Sequence, residues 1–248
     1  MTTAPATAFD RLAARYDELW TNTGPGRAQR EAVWRHVDPL FQPGACILDI
    51  GCGTGEDAAH YMSAGLEVSA VDASPEMVRI SRGRGVNASV GAIENLDDIP
   101  GTYDGAVSNF GALNCVRDLE ALQEPLKNLI RPGGHLAVCI IGRFCLRETL
   151  HFLRQRQFHK AFRRWSGESQ SPSLGLRVFY PTVGGIERAL TPEFTLVRTA
   201  GIGLSVPPSY ITMLESRLAT CDAIDRRLAQ LPFFRALADH RLLIFVRK

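Results

Sequence analysis

The chain has 248 residues with 45% apolar side chains, 28 basic and 26 acidic groups, and a formal net charge of +2. Its length and apolar share are typical of a globular protein that buries a large core without disulfides, and the charge balance argues against a dedicated nucleic-acid binder. No apolar run approaches the roughly 20 residues of a transmembrane helix, and the amino terminus lacks the basic and apolar regions of a secretory signal, so we expect a cytoplasmic protein without stable membrane insertion.

Two helices are predicted in the first 43 residues. Apolar residues at three- and four-residue spacing predict a helix over residues 9–20, which the Gly24-Pro25-Gly26 cluster is expected to break. A second helix is predicted over residues 27–41, ending at Pro43-Gly44. We expect residues 1–43 to form an N-terminal helical cover.

Short apolar strands alternate with helices from residue 44 onward. Strands are predicted at residues 46–50, 68–71, 87–90, 106–108 and 136–141. Helices are predicted at residues 56–64, from Ser74-Pro75 onward, and at residues 119–130. Such alternation predicts a parallel sheet with helices on both faces, so residues 44–142 are interpreted as one α/β unit.

The composition changes after residue 142. Residues 143–165 contain seven basic residues and one acid, and apolar residues recur there at mostly helical intervals, so one amphipathic helix with a cationic face is predicted over 146–165. Such a face is solvated in the simplest case, but it can also rest on an anionic membrane or attract an acidic substrate. We predict a mobile cover over the substrate pocket within an insertion at 143–210, with residues 166–175 as a loop. Residues 211–248 are expected to close the same compact domain with a helical stretch at 210–239 and a strand at 242–246, beside a strand at 195–198.

The stretch Leu48-Asp49-Ile50-Gly51-Cys52-Gly53-Thr54-Gly55 is the most informative in the sequence. A strand ends there in a glycine turn at the crevice where doubly wound sheets bind ligands, and glycines let backbone N–H groups approach a ligand closely. The spacing differs from the dinucleotide pattern G-x-G-x-x-G, and Glu56-Asp57 would repel a pyrophosphate. Asp72 ends the next strand, where a carboxylate can accept both hydroxyls of a ribose. These features favour a nucleoside ligand that carries positive charge, although a tight structural turn is the alternative.

Four successive motifs resemble those of class I S-adenosylmethionine-dependent methyltransferases. They lie at residues 48–55, 71–77, 103–114 and 129–134, and the N-terminal Phe9-Asp10…Tyr16-Asp17 pattern is similar to the branch with quinone-biosynthesis and other small-molecule enzymes. The resemblance covers residues 9–142. It implies a Rossmann-like, doubly wound, mostly parallel seven-stranded sheet with an antiparallel last strand, and S-adenosylmethionine as cofactor. It also implies methyl transfer to a small-molecule acceptor by in-line displacement, with a macromolecule methyltransferase or a non-catalytic cofactor-binding protein as alternatives.

The resemblance assigns cofactor-binding roles by position. The glycine turn would meet the methionine part, Asp72 the ribose, and the backbone near Ala92 the adenine, because Ala92 stands where relatives often carry an Asp. The expected cofactor-binding residues are Tyr16, Arg30, Asp49, Gly51, Cys52, Gly53, Asp72, Ala73, Met77, Ala92, Ile93, Asn109, Phe110 and Gly111. Met77 is equally interpretable as a core residue, and Arg30, which shares a helix face with Arg27, as a solvated one.

The acceptor side of the site is less well defined by the sequence. Asn114 and Tyr180 are expected to face the substrate, but Asn114 stands where relatives often carry His, and Asn cannot act as a base. His151 and His159 are further candidates that are more simply interpreted as structural or exposed, so no catalytic base is assigned. The six cysteines lack zinc-ligand spacing, and no metal site is expected.

Overall fold

The computed structural model describes residues 5–171 and 175–248. The strands are β1 (Cys46–Ile50), β2 (Glu67–Asp72), β3 (Asn87–Val90), β4 (Tyr103–Ser108), β5 (Ile130–Ile141), β6 (Glu168–Gln170), β7 (Arg177–Phe179), β8 (Phe194–Ile202) and β9 (His240–Arg247). The helices are α1 (Pro5–Tyr16), α2 (Gly24–Val37), α3 (Glu56–Ser63), α4 (Pro75–Gly83), α5 (Gln123–Leu129), α6 (Leu146–Arg154), α7 (Phe158–Phe162), α8 (Val183–Leu190), α9 (Glu215–Leu228) and α10 (Pro232–Arg235). No helix in these two ranges is long and apolar enough to cross a membrane.

Seven strands form one sheet in the order β3-β2-β1-β4-β5-β9-β8. The first five are parallel, and β9 is antiparallel to both of its neighbours, so β8 runs in the direction of the parallel strands. This arrangement confirms the predicted doubly wound, mostly parallel sheet with an antiparallel last strand. The parallel strands end at one edge of the sheet, and β9 begins at that edge with His240 opposite Ile141.

Both faces of the sheet are buried, which explains the continuous apolar runs in the sequence. Successive residues of a strand point to opposite faces. Ile47 joins an apolar cluster with residues of α2, α3 and α4, whereas Leu48 joins a second cluster with residues of α5 and α8. The core therefore consists of two layers that hold the strand ends, and the turns that follow them, in fixed positions.

The Gly24-Pro25-Gly26 cluster begins α2, where a break between helices was predicted. α1 continues through a π-helical turn (Asp17–Thr21), and Thr23 then caps α2 by accepting a hydrogen bond from the Gly26 N–H at 3.0 Å. Proline is tolerated in the first helical turn because the N–H that it lacks would have no partner there. A Cβ at Gly26 would lie 1.9 Å from the Trp20 carbonyl oxygen, so only glycine fits where the two helices meet.

The predicted single helix over residues 146–165 is wrong. The chain forms α6 and α7, separated at Arg156, whose φ of 58° lies in the left-handed region. A five-residue gap between the apolar residues Leu153 and Phe158 interrupts the helical spacing, so one straight helix could not keep both on the same face. Phe158 and Trp165 remain about 60% and 57% exposed.

The rest of the predicted insertion divides into two parts. β6 and β7 pair as a small antiparallel ribbon where a loop was predicted, and residues 172–174 of that loop lie outside the described residues. Beyond Thr182, α8 packs on the main sheet and β8 is one of its strands. The insertion is therefore limited to residues 143–182. The predicted helical stretch at 210–239 contains α9 and α10, the second of which begins at Pro232.

Candidate active site

A cavity of about 560 Å³ opens at the carboxyl edge of the sheet, between the N-terminal helices and the insertion. Ten of the sixteen residues predicted to bind the cofactor or face the substrate line it: Tyr16, Arg30, Gly51, Gly53, Asp72, Met77, Asn109, Phe110, Gly111 and Tyr180. The fold therefore brings together residues from the glycine turn, the ends of β2 and β4, helix α4, both N-terminal helices and the insertion.

The glycine turn after β1 leaves an open place for a ligand at one position. Gly51, Gly53 and Gly55 all have positive φ, at 76°, 54° and 82°. A Cβ at Gly51 would lie 2.3 Å from the Ala112 Cβ, and one at Gly55 would lie 2.3 Å from the Ser81 Oγ. At Gly53, in contrast, no atom of the described residues other than its own chain neighbours lies within 4 Å of that position. Gly51 and Gly55 are therefore required by packing, while Gly53 leaves room for a ligand against the backbone.

Asp72 closes the glycine turn and also faces the cavity. Its Oδ2 accepts a hydrogen bond from the Gly53 N–H at 2.8 Å, and its Oδ1 accepts one from the Ser74 N–H at 2.9 Å. Burial raises the pKa of Asp72, and these two hydrogen bonds oppose that shift. Because each carboxylate oxygen has a second lone pair, Asp72 can still accept two hydroxyl donors from a ribose.

Two acids clamp the N-terminal helices onto the sheet. Asp10 accepts hydrogen bonds from the Ser74 hydroxyl at 2.5 Å and from the Glu76 N–H at 3.2 Å. Asp17 accepts one from the Thr54 hydroxyl at 2.7 Å and is paired with Arg84. This explains the Phe9-Asp10…Tyr16-Asp17 pattern in physical terms: each acid ties the cover to a helix start, and each aromatic residue before it lines the cavity.

Arg30 is a cation of the site whose side chain is only 12% exposed, which excludes the solvated alternative. It is paired with Asp57, whose other oxygen accepts a hydrogen bond from Trp34 Nε1 at 2.7 Å, and its guanidinium carbon lies 5.0 Å from the centre of the Phe110 ring. Burial opposes the charge, but Asp57 outweighs it, and the pKa of Arg30 is raised. Arg30 thus presents a fixed positive charge that suits a ligand carboxylate. Arg27, on the same helix, is more than half exposed and lies 3.7 Å from Glu215.

Asn109 and Tyr16 line the cavity, whereas Asp49 does not. Asn109 follows β4 and lines the cavity; it is 7% exposed, and neither its amide nitrogen nor its carbonyl oxygen has a hydrogen-bond partner among the described residues. Such a buried, unpaired amide fits a polar ligand. Burial raises the pKa of Tyr16 to about 12, so its hydroxyl is a hydrogen-bond donor at neutral pH. Asp49 lies beneath the glycine turn, 1% exposed, where burial and then Asp57 raise its pKa well above the usual range.

Six predicted residues do not line the cavity as the structure describes it: Asp49, Cys52, Ala73, Ala92, Ile93 and Asn114. The prediction that Asn114 faces the substrate is contradicted by its contacts. Asn114 is fully buried, its Oδ1 accepts the Ile141 N–H at 2.8 Å, and its Nδ2 donates to the Phe179 carbonyl at 2.6 Å. It fastens the β6–β7 ribbon to the end of β5. Tyr180 lines the cavity, with its hydroxyl 2.9 Å from the Ser169 hydroxyl.

Arg163 and Arg164, expected on a solvated cationic face, turn inward instead. Arg164 is 6% exposed and pairs with both Glu148 and Asp239, whose Oδ1 lies 2.9 Å from the Arg164 Nη2. Arg163 pairs with the other oxygen of Glu148. Glu148, Asp239 and Cys145 place three ligand-type atoms close together, but both carboxylates are already paired with Arg163 and Arg164, so the cluster does not suit a metal ion.

His240 and Asp239 were not predicted from the sequence. Both line the cavity where β9 begins, and His240 is 8% exposed. Tyr210 and Lys160, which also line the cavity, were not singled out either. No short sequence pattern identifies these residues, because they reach the cavity only when β9 pairs with the distant strand β5.

Comparison with known proteins gives a family match over the α/β part of the chain. Residues 47–134 match the model of a methyltransferase domain. Over 150 residues the chain is 28% identical to a ubiquinone biosynthesis O-methyltransferase from Xanthomonas campestris pv. campestris (strain B100), covering 55% of this chain and 62% of that protein. Over 138 residues it is 32% identical to a demethylmenaquinone methyltransferase from Paenarthrobacter aurescens (strain TC1), covering 54% and 53%. The chain thus spans less than two thirds of the length of each of these relatives.

A solved structure shows that the fold is shared over most of the chain. An S-adenosylmethionine dependent methyltransferase from Mesorhizobium loti superposes with a TM-score of 0.61 at 17% identity, covering 87% of this chain and 98% of that one. S-adenosylmethionine is the cofactor of such methyltransferases, and the site suits its groups. The open space at Gly53 and the free acceptor sites of Asp72 fit its nucleoside and ammonium groups, and the cation Arg30 fits its carboxylate. The comparisons therefore agree with the resemblance: residues 47–134 match a methyltransferase domain, and the chain is similar to S-adenosylmethionine-dependent methyltransferases, quinone-biosynthesis enzymes among them.

Proposed function

We propose that this protein transfers the methyl group of S-adenosylmethionine to a small-molecule acceptor. The observation that carries the proposal is one cavity with two differently built ends. The end at Gly53, Asp72 and Arg30 has the groups that suit the cofactor. The other end is lined by residues of the insertion and of the loop before α9, among them Phe152, Lys160, Tyr180 and Tyr210.

The chain's own residues position the reactants and exclude water. When bound, S-adenosylmethionine supplies a methyl group on a positively charged sulfur, with a neutral leaving group. Asp72 would hold the ribose, Asn109 the polar tail and Arg30 the carboxylate of the bound cofactor. Such alignment alone is worth on the order of 7–11 kcal/mol in well-oriented reactions.

Coverage of the cavity from two sides favours a small acceptor. Asp10 and Asp17 hold the N-terminal helices over one end, and the Glu148–Arg164–Asp239 ion pairs hold the insertion over the other. An exposed loop of a macromolecule would have to displace one of these anchored segments. We therefore keep the N-terminal cover, the core and the insertion as functional parts of one compact domain.

Calorimetry and a transfer assay test the proposal together. We expect S-adenosylmethionine and S-adenosylhomocysteine to bind and NAD not to bind. With tritium-labelled methyl groups, we expect label to appear in a panel of small acceptors, phenols included. Label that enters only protein or RNA would support a macromolecular acceptor, and binding without any transfer would support a non-catalytic cofactor-binding protein.

A further inference from the structure

His240 lines the cavity beside Phe110. It begins β9 opposite Ile141, and its ring contacts the Phe110 ring edge to face, with the centres 5.3 Å apart. The same Phe110 ring lies under the Arg30 guanidinium at 5.0 Å. One aromatic ring therefore separates His240 from the cation that suits the cofactor carboxylate, while His240 itself lines the cavity.

Asp239 lies beside the imidazole of His240, whose Nδ1 makes no hydrogen bond to the residues that the structure describes. Its Oδ2 lies 3.3 Å from the His240 Nδ1, and the carboxylate is itself held by Arg164 at 2.9 Å and by the Gln29 Nε2 at 3.3 Å. A carboxylate beside Nδ1 favours the tautomer with the proton on Nδ1, which leaves a lone pair on Nε2. Nε2 has no hydrogen-bond partner in the part of the chain that the structure describes, and it belongs to a ring that faces the cavity.

The charges around His240 keep it neutral. Burial lowers its pKa, and the neighbouring cations Arg164 and Arg241 act in the same direction, while Asp239 and, more weakly, Glu148 oppose them. A neutral imidazole at neutral pH can take up a proton. Burial acts to raise the pKa of Asp239, but the charge and hydrogen bond of Arg164 and the hydrogen bond from Gln29 lower it, so Asp239 stays ionised and can stabilise the imidazolium that forms.

We propose that His240 is the general base that accepts the proton of a hydroxyl group on the methyl acceptor. This inference rests on the proposed function. The acceptor oxygen forms a bond to the methyl carbon, the carbon–sulfur bond breaks with its electron pair left on sulfur, and the hydroxyl proton moves to His240 Nε2. The imidazolium beside Asp239 then releases the proton to water. The acceptor class is an alcohol or phenol, and the aromatic walls formed by Phe110, Phe152 and Tyr210 suit a phenol.

The tautomer and the pKa of His240 can be measured without any acceptor. In two-dimensional NMR of ¹⁵N-histidine-labelled protein with S-adenosylhomocysteine, the signals lost in His240→Gln identify this ring. We expect protonation on Nδ1, a bare Nε2 and a pKa below the ordinary histidine range. In Asp239→Asn we expect the Nδ1 preference to weaken. A proton on Nε2 in the native protein would overturn the proposal, whether or not any acceptor has been found.

Rate measurements with two phenols of different acidity test whether His240 removes a proton during transfer. 4-Nitrophenol is largely ionised at slightly alkaline pH and needs no base, whereas phenol itself must lose a proton during transfer. We expect His240→Gln to lower kcat with phenol about 10²–10⁴-fold, the usual contribution of a general base, and to lower it only a few-fold with 4-nitrophenol. The acidic limb of the pH profile should disappear as well. His159→Gln, on the exposed side of α7, is the matched control and should change neither rate.

The outcomes separate this proposal from the proposed function. An equal loss with both phenols would mean that His240 acts only through structure, and an unchanged rate with phenol would also contradict the role of base. Cofactor affinity of His240→Gln, measured with S-adenosylhomocysteine, should stay within about twofold of the native protein, which shows that the fold is intact. If the native protein methylates no small molecule, the proposed function fails, and the tautomer measurement still decides on His240.

Discussion

The Thr54 hydroxyl donates a 2.7 Å hydrogen bond to Asp17, and this bond joins the end of the N-terminal cover to the glycine turn. Thr54 is 2% exposed and immediately precedes Gly55, the N-cap residue of α3. The contact therefore couples the position of Tyr16, which precedes Asp17, to the backbone that suits the cofactor.

Removal of this hydrogen bond should weaken both the fold and the cofactor site. Thr54→Val keeps the shape of the side chain but leaves Asp17 without this donor; hydrogen bonds to charged groups are worth about 1.5–3 kcal/mol. We expect a lower melting temperature and a several-fold weaker affinity for S-adenosylhomocysteine by calorimetry. Ser63→Ala, which removes an exposed hydroxyl at the end of α3, is the control. Equal behaviour of the two variants would show that the contact does not hold the cover in place.

Asp72 should be the strongest single determinant of cofactor affinity. It closes the turn at Gly53 and has free acceptor sites toward the cavity. We expect Asp72→Ala to weaken the binding of S-adenosylmethionine at least tenfold, in line with the loss of two hydrogen bonds to a carboxylate. Circular dichroism should show an unchanged fold. Native affinity in this variant would mean that the ribose lies elsewhere.

A site residue could be predicted from the sequence where the pattern that identifies it lies within one short segment. The strands, the glycine turn and Asp72 were predictable because each combines a short apolar run with residues that follow it directly in the chain. Arg164 and His240 were not predictable, since the partner of both is Asp239, which lies 75 residues from Arg164 and meets it only when the insertion packs on β9. The prediction that Asn114 faces the substrate was wrong for the same reason, because its partners are the backbones of β5 and β7.

Arg164 should be essential for stability despite its place in a basic segment. Glu148 and Asp239 are both about 2% exposed, and Arg164 is paired with each of them. Arg164→Met would leave two buried carboxylates without this cation, and breaking a buried ion pair typically costs about 3–5 kcal/mol. Denaturant unfolding of Arg164→Met and of Arg154→Met provides the comparison. Because Arg154 is exposed at the end of α6, its substitution should change stability by no more than about 0.5 kcal/mol. Similar values for the two variants would contradict the buried role.

Asp49 should destabilise the protein at neutral pH. Its pKa is raised by burial and then by Asp57, and its Oδ2 has no hydrogen-bond partner in the described residues. A carboxyl whose pKa is higher in the folded than in the unfolded state, where it is about 3.9, makes unfolding easier as the pH rises from that value through the folded pKa. We expect Asp49→Asn to have a higher melting temperature than the native protein at neutral pH, and the difference to shrink as the pH approaches about 4. A difference that stays constant with pH would mean that Asp49 is already paired.

Lys160 should attract acceptors that carry a negative charge. From the sequence, this role was predicted for the basic face of the insertion as a whole. Arg154 and Arg156 are exposed and do not line the cavity as described, whereas Lys160 lines it, with its ammonium 5.6 Å from the centre of the Phe152 ring. No salt bridge to Lys160 occurs within residues 5–171 and 175–248, so its charge is available to an acidic group on the acceptor. An exposed ion pair at about 4 Å is worth roughly 1 kcal/mol in water and more where water is partly excluded.

We therefore expect Lys160→Gln to raise the KM for 3,4-dihydroxybenzoate about three- to tenfold while leaving the KM for uncharged catechol within about twofold. The effect on the benzoate should diminish as salt is added, because salt screens partly exposed charges. Arg154→Gln serves as the matched control with both acceptors; if it changes the KM for the benzoate as much as Lys160→Gln does, the attraction comes from the whole basic surface and not from a residue inside the cavity.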